Sequence, residues 1–362
     1  MPEISCVHWS NRPSIGERPD GIGRVRRVNP WLAALCLGLT LAGAAPPVRA
    51  ETSQLRISRG FGVHYLPLHV IEAHALLDKH AAAAGLAPPK LEWLTIDGGN
   101  NINDAMLAGA LDIATLGIPG FLALWAKTRG NPKSEIIGLG GAGGGALIMI
   151  SRSPSMKTLR DVTEKDRIAV PGVKTSVAAM LLQMAVAKEF GDAEYARLDP
   201  YTVGLAYPEA VAAMLSGKSE ITAHVASPPF SYMELAQPGF HKVFSSIDVA
   251  GRVSTIIAET SVQFRSANPK LTAAFIAALD EANKFIVANP REAAEIYVKL
   301  AKAKTSPAEI ERIIRDPETT FMLAPLGVMT FANFMHKVGI IKIKPASWKD
   351  TFVPEIHGEA GN

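Results

Sequence analysis

Three histidines fall within eleven residues of one stretch, GFGVHYLPLHVIEAH (60–74): His64, His69 and His74. Imidazoles at close spacing bind metal or move protons when their rings converge. Helical geometry keeps these apart. With a helix over 67–80, the five-residue step from His69 to His74 turns the side chain by about 140°. His80 is nearly in phase with His69 but lies about 16 Å along the axis. Zinc ligands on a helix are spaced by three or four residues, with further ligands converging, so no metal site is expected. The glycines on either side of Phe61 let backbone approach a ligand closely, and the helix behind them offers its positive end. Gly60, Phe61, His64 and Tyr65 are therefore candidates for one wall of a binding site.

Three further loops carry groups suited to holding a small molecule. GGNN (98–101) places the amides of Asn100 and Asn101 before a helix over 102–109, where they can meet neutral or anionic oxygens. PGVKTS (171–176) sets Lys174, Thr175 and Ser176 at a helix start, a natural carboxylate or sulfonate site; ordinary N-capping by the two hydroxyls is the alternative. HVASPPF (224–230) brings His224 and Ser227 to a strand end, where His224 is a ligand contact or a packed core histidine. Tyr207, with Phe61 and Tyr65, is an aromatic wall or core. GLGGAG (138–143) matches the dinucleotide pattern G-x-G-x-x-G, but ALIMIS follows it. A strand-like run cannot present helix N–H groups to a pyrophosphate, and no cofactor is expected. No G-x-S-x-G or comparable nucleophile arrangement is present, and carboxylates do not cluster on these loops.

Elements that would position the loops follow from periodicity and an internal repeat. AMLAGALDIA (105–114) is echoed by AMLSGKSEIT (213–222), and IATLGIPGF (113–121) by ITAHVASPPF (221–230) after a one-residue insertion. Upstream, LRIS ending at Gly60 pairs with RIAVPG ending at Gly172. An offset near 110 residues indicates two similar lobes rather than a solenoid. Each lobe reads as alternating strands and helices, hence a mainly parallel sheet with ligands beyond its carboxyl ends. After the second lobe, RVSTIIAETSVQF (252–264) reads as a strand. Asn268-Pro269 and Asn289-Pro290 then open two long helices, and Ser306 with Glu309 forms a capping box.

The first fifty residues differ from the rest. Arg24, Arg26 and Arg27 precede the apolar run WLAALCLGLTLAGAA, and PPVRA ends at Ala50. These are the parts of a secretory signal with cleavage expected after Ala50. Removing its six arginines from 37 basic residues, and its three acids from 34, leaves 31 of each. The excess of three positive charges belongs to the leader, and nucleic-acid binding loses its support. Cys6 and Cys36 lie there too, so the mature chain would have neither disulfide nor cysteine nucleophile.

GVHYLPLHVIE (62–72), NDAMLAGALDIATLG (103–117) and ITAHVASPPF, with the leader and paired lobes, resemble the nitrate/sulfonate/taurine-type substrate-binding proteins of ABC importers. The likeness spans 53–345. It implies an α/β, type II periplasmic binding protein fold, two βαβ lobes joined by a two-strand hinge. The first lobe would comprise 51–150 and 252–362, and the second 151–251. It further implies a periplasmic monomer, not an enzyme, that closes on a small organic anion and delivers it to a membrane permease with its ATPase. Lys174 and the helix ends favour the anion, and the aromatics favour a carbon skeleton; sulfonates, aromatic carboxylates and pyrimidines stay open. The same superfamily includes thiamine-pyrimidine synthase-like enzymes, whose cysteine-rich motif is missing here. A sensory ligand-binding protein is a third reading.

Overall fold

A computed structural model describes residues 50–362. The expected leader, with both cysteines, lies outside the described residues except for Ala50.

Ten strands among the described residues form two five-stranded sheets. The first holds β1 (Gln54–Ser58), β2 (Lys90–Leu94), β3 (Ile113–Leu116), β4 (Ile136–Gly144) and, from far downstream, β10 (Ser254–Ser261). The second holds β5 (Ile148–Ser151), β6 (Ile168–Val170), β7 (Thr202–Gly204), β8 (Ala223–Ala226) and β9 (His241–Ser245). Their orders correspond strand for strand: β2-β1-β3-β10-β4 and β7-β6-β8-β5-β9. In the first, β1 runs parallel to β2 and β3, while β10 is antiparallel to β3 and β4. In the second, β6 is parallel to β7 and β8, and β5 antiparallel to β8 and β9. The chain passes between sheets twice, at residues 145–147 and again between β9 and β10. Residues 148–150, expected in the first lobe, thus belong to the second sheet. β5 and β10 are mostly apolar and β-branched and almost wholly buried, as strands covered on both faces require, with Glu259 of β10 the charged exception.

The helix expected over 67–80 is two helices, α1 (Leu66–Ala73) and α2 (Leu76–Ala83). Ala75 between them adopts a left-handed conformation, φ 48°, which breaks the hydrogen-bond ladder. α3 (Gly99–Leu107) leads into β3 and then α4 (Ile118–Thr128). In the second lobe α5 (Val177–Phe190) follows β6, and α6 (Tyr207–Ser216) leads into β8 and then α7 (Phe230–Leu235). The repeated AMLxG segments close α3 and α6, so the sequence repeat is a repeat of structure.

A short α8 (Ile247–Ala250) lies on the second crossing, and α9 (Val262–Ala267) continues from β10. Four helices complete the first lobe: α10 (Pro269–Ala288), α11 (Pro290–Ala301), α12 (Pro307–Ile314) and α13 (Val328–Lys337). The capping box at Ser306 and Glu309 is present. Asn268 and Asn289 precede α10 and α11 but make no side-chain cap; Asn268 Oδ1 accepts from Thr52 N instead. The first turn of α10 is capped from the segment just before β1, where the Glu51 carboxylate accepts from Lys270 N (2.9 Å) and Leu271 N (2.7 Å).

The glycine run 138–143 is part of β4, with no helix after it. A side chain at Gly143 would collide with the backbone of His64. The glycines serve close packing there, and the run has no phosphate-binding geometry.

Candidate ligand-binding chamber

The carboxyl ends of β1, β2 and β3 face those of β6 and β8 across a cleft, and the loops leaving them line a small chamber of about 40 Å³. From β1 come Phe61, His64 and Tyr65; from β2, Asp97, Gly98 and Gly99; from β3, Gly117. The second lobe supplies Pro171, Thr175, Ser176, Tyr207 and Ser227. Thr255 and Ile256 also line it. β10 is antiparallel, so its beginning lies level with the other strands' ends.

Seven of the expected residues are brought together here: Phe61, His64, Tyr65, Thr175, Ser176, Tyr207 and Ser227. Five are not among the lining residues. Gly60 lines a separate, wider groove of about 510 Å³ that Phe61 also borders, with Phe230, Met233, Leu215, Lys302 and Lys304. Asn100 is exposed, and the Asn101 side chain is spent on the Asp97 carbonyl (3.0 Å). Lys174 is exposed in a left-handed turn, φ 66°. His224 is fully buried in the second lobe, its Nδ1 2.7 Å from Glu234 Oε1, with neither side chain exposed. It is a packed histidine. The other histidines considered at the outset also serve structure: His69 Nδ1 bonds the Tyr65 carbonyl at 3.1 Å, His74 sits edge-on to Phe285, and His80 meets Glu281 at 2.7 Å.

Sequence reasoning missed Asp97 and Thr255. Asp97 directly precedes the GGNN segment and reads there as a turn former. Thr255 carries no local signal, because its place depends on β10 running against its neighbours.

Two hydrogen-bond systems shape the interior. His64 is buried, and Thr255 Oγ1 lies 2.7 Å from its Nδ1 and 3.2 Å from the Gly143 carbonyl. With the hydroxyl proton given to Gly143, Nδ1–H donates to Oγ1 and Nε2 is an acceptor without a partner. Burial pushes the His64 pKa down to about 4, so the ring is neutral. Ser227 Oγ stands 3.4 Å from the same Nδ1. That pair does not make a nucleophile and base: Thr255 holds the nitrogen, no acid orients the ring, and so weak a base would not activate the hydroxyl. The second system is Asp97. Its Oδ1 accepts from Gly98 N at 3.0 Å, and its Oδ2 is buried without a partner. Burial pushes its pKa up to about 6, against the pull of the Gly98 and Tyr207 amides, and Glu209 nearby adds to the rise. Burial also raises both tyrosines, Tyr65 and Tyr207, and Tyr207 stacks on Phe230 at 5.5 Å and 11°.

The lobes touch directly at several places. Val63 N donates to the Pro228 carbonyl (2.9 Å), where Gly62, φ 109°, leaves the carbonyl room. Tyr232 donates to Asp316 (3.0 Å), and Lys337 pairs with Asp192.

Two sheets of matching order with a chamber between them at their strand ends define the periplasmic binding protein fold. Among solved structures, the chain is similar to the alkanesulfonate-binding protein SsuA from Xanthomonas axonopodis pv. citri bound to MOPS, at 18% identity and TM-score 0.63, over 81% of this chain and 95% of that one. It is similar to the periplasmic nitrate-binding protein NrtA from Synechocystis PCC 6803, at 16% identity and TM-score 0.64, over 83% and 84%. A Candida albicans gene product described as exhibiting the generic periplasmic binding protein structural fold matches at 14% identity and TM-score 0.60, over 81% and 92%. At these identities the likeness is one of fold. Neither a protein-family model nor a curated protein sequence matches the chain.

Proposed function

We propose that this protein is the periplasmic solute-binding component of an ABC-type importer, closing its lobes on a small organic molecule and presenting the closed form to a membrane permease served by a cytoplasmic ATPase. The observation that carries this reading is the chamber itself, at the carboxyl ends of strands from both sheets and lined by residues of both lobes. Phe61, Tyr65, Tyr207, Thr175, Ser176, Ser227, His64, Asp97 and Thr255 are the contacts it would use. Two solved neighbours are named as solute-binding proteins, for alkanesulfonate and for nitrate. The apolar, small-residue-terminated leader supports export, and among the described residues no helix is long and apolar enough to cross a membrane. At about 40 Å³ the chamber is far below the several hundred Å³ usual for an organic ligand, so capture would require the lobes to part and close again by hinge motion.

The test is a thermal-shift screen of the purified protein against sulfonates, carboxylates, nitrate and pyrimidines. A solute present at a hundred times its dissociation constant stabilises the folded state by about 2.7 kcal/mol, which raises Tm by about 4 °C in a chain of this size. Such a rise with one chemical class, accompanied by a smaller radius of gyration in solution scattering, is the expected result. A screen without any rise, on protein that retains no small molecule in native mass spectrometry, would refute the proposal.

A further inference from the structure

Among the described residues lining the chamber, Asp97 alone carries a charge, and no lysine or arginine faces it. Lys174, the expected partner of an anion, is exposed and outside the lining. The Asp97 Oδ2 atom is buried without a hydrogen-bond partner, although the Tyr207 amide at the start of α6 pulls on the same carboxylate. Four helix ends face the same space and would by themselves favour negative charge. Part of their capacity is already met. α4 and α6 carry proline at their second positions, Pro119 and Pro208, and lack an N–H there. The α5 end is capped by Ser176, which accepts from Ala179 N at 3.1 Å, and Gly98 N beside α3 is bonded to Asp97 itself. Glu209 adds a second negative charge to the first turn of α6. An entering anion would meet a full negative charge, whereas a nitrogen donor would complete the unpartnered oxygen. Phe61, Tyr65 and Tyr207 line the same space, and aromatic faces also attract cations.

We propose that the chamber selects a solute presenting a protonated or N–H-bearing nitrogen to Asp97 Oδ2, and discriminates against anions. This rests on the solute-binding reading and adds the sign of the ligand's recognised group. Asp97 is then a specificity-determining residue.

The experiment is calorimetric titration of the purified protein with four shape-matched probes: benzamidine, benzylamine, benzoate and benzenesulfonate. The same titrations are run on Asp97→Asn and Asp97→Glu, each checked for a native circular dichroism spectrum. The expected result is binding of at least one nitrogen probe, at least tenfold tighter than either anion, with tenfold or greater loss in Asp97→Asn and recovery in Asp97→Glu. Anions that bind as well as the nitrogen probes, or a nitrogen probe whose affinity is unchanged in Asp97→Asn, would overturn it, as would failure of both nitrogen probes. Anion binding alone removes the charge inference and leaves solute binding standing; failure of all four probes, with nothing retained in native mass spectrometry, removes both.

Discussion

Glu259 sits in the middle of β10 with both carboxylate oxygens buried and unpartnered, and burial pushes its pKa up to about 8 from an ordinary 4.5. The folded state therefore holds this proton where the unfolded chain releases it. The stability it contributes is fully present below about pH 4.5 and is lost as the pH rises through about 8. Glu259→Gln should flatten that decline, measured as Tm against pH. His64 has the opposite sign: its folded pKa of about 4 lies below 6.5, so its contribution is lost as the pH falls through that window, and His64→Asn should blunt the acid side. His224 tests the line between site and core. Truncating it to alanine strands Glu234 in a dry interior and should cost about 3–5 kcal/mol in urea unfolding, while replacing both partners with leucine should cost less. Lys174→Ala should alter neither stability nor solute binding. Residue types alone suggested both His224 and Lys174 as ligand groups. What separated them from Thr175 and Ser176 was side-chain direction, which a loop sequence does not encode.

At the scale of elements, the strongest local signals read correctly and the tertiary ones did not. Ser306 and Glu309 form their capping box because both partners lie within one turn. Asn268 looks like an equally good cap, yet the first turn of α10 is served by Glu51, more than two hundred residues earlier in the chain. Glu51→Ala should therefore destabilise the protein by about 0.5–2 kcal/mol in chemical denaturation, the range for losing a helix cap, and Asn268→Ala should act through its bond to Thr52 instead. The break at Ala75 was equally hidden, since nothing in HALLDKH breaks a helical pattern. Gly62 is a different case. Its positive φ and its place against the Pro228 carbonyl mean that Gly62→Ala should strain the closed form, lowering affinity for any bound solute with little change in secondary structure.

For the whole molecule, the paired lobes were legible because the repeat was written twice at a fixed offset. The crossings carry no local signal, because they show only in how strands pair; the two-strand hinge and the return to the first lobe were expected from the family resemblance alone. Counted along the chain, the protein is two runs of five strands, β1–β5 and β6–β10. In each run four strands stay together and the fifth joins the other run's sheet, as the orders β2-β1-β3-β10-β4 and β7-β6-β8-β5-β9 state. That is the connectivity of a domain-swapped dimer whose two subunits have been fused into one polypeptide. The arm exchange that would hold such a dimer together is here the pair of crossings about which the lobes can swing, so mobility between lobes and permanence of their association come from one device. A chain ending just after β5 would keep the arm but lose its acceptor sheet, and the two halves, produced as separate polypeptides, should find each other by trading fifth strands.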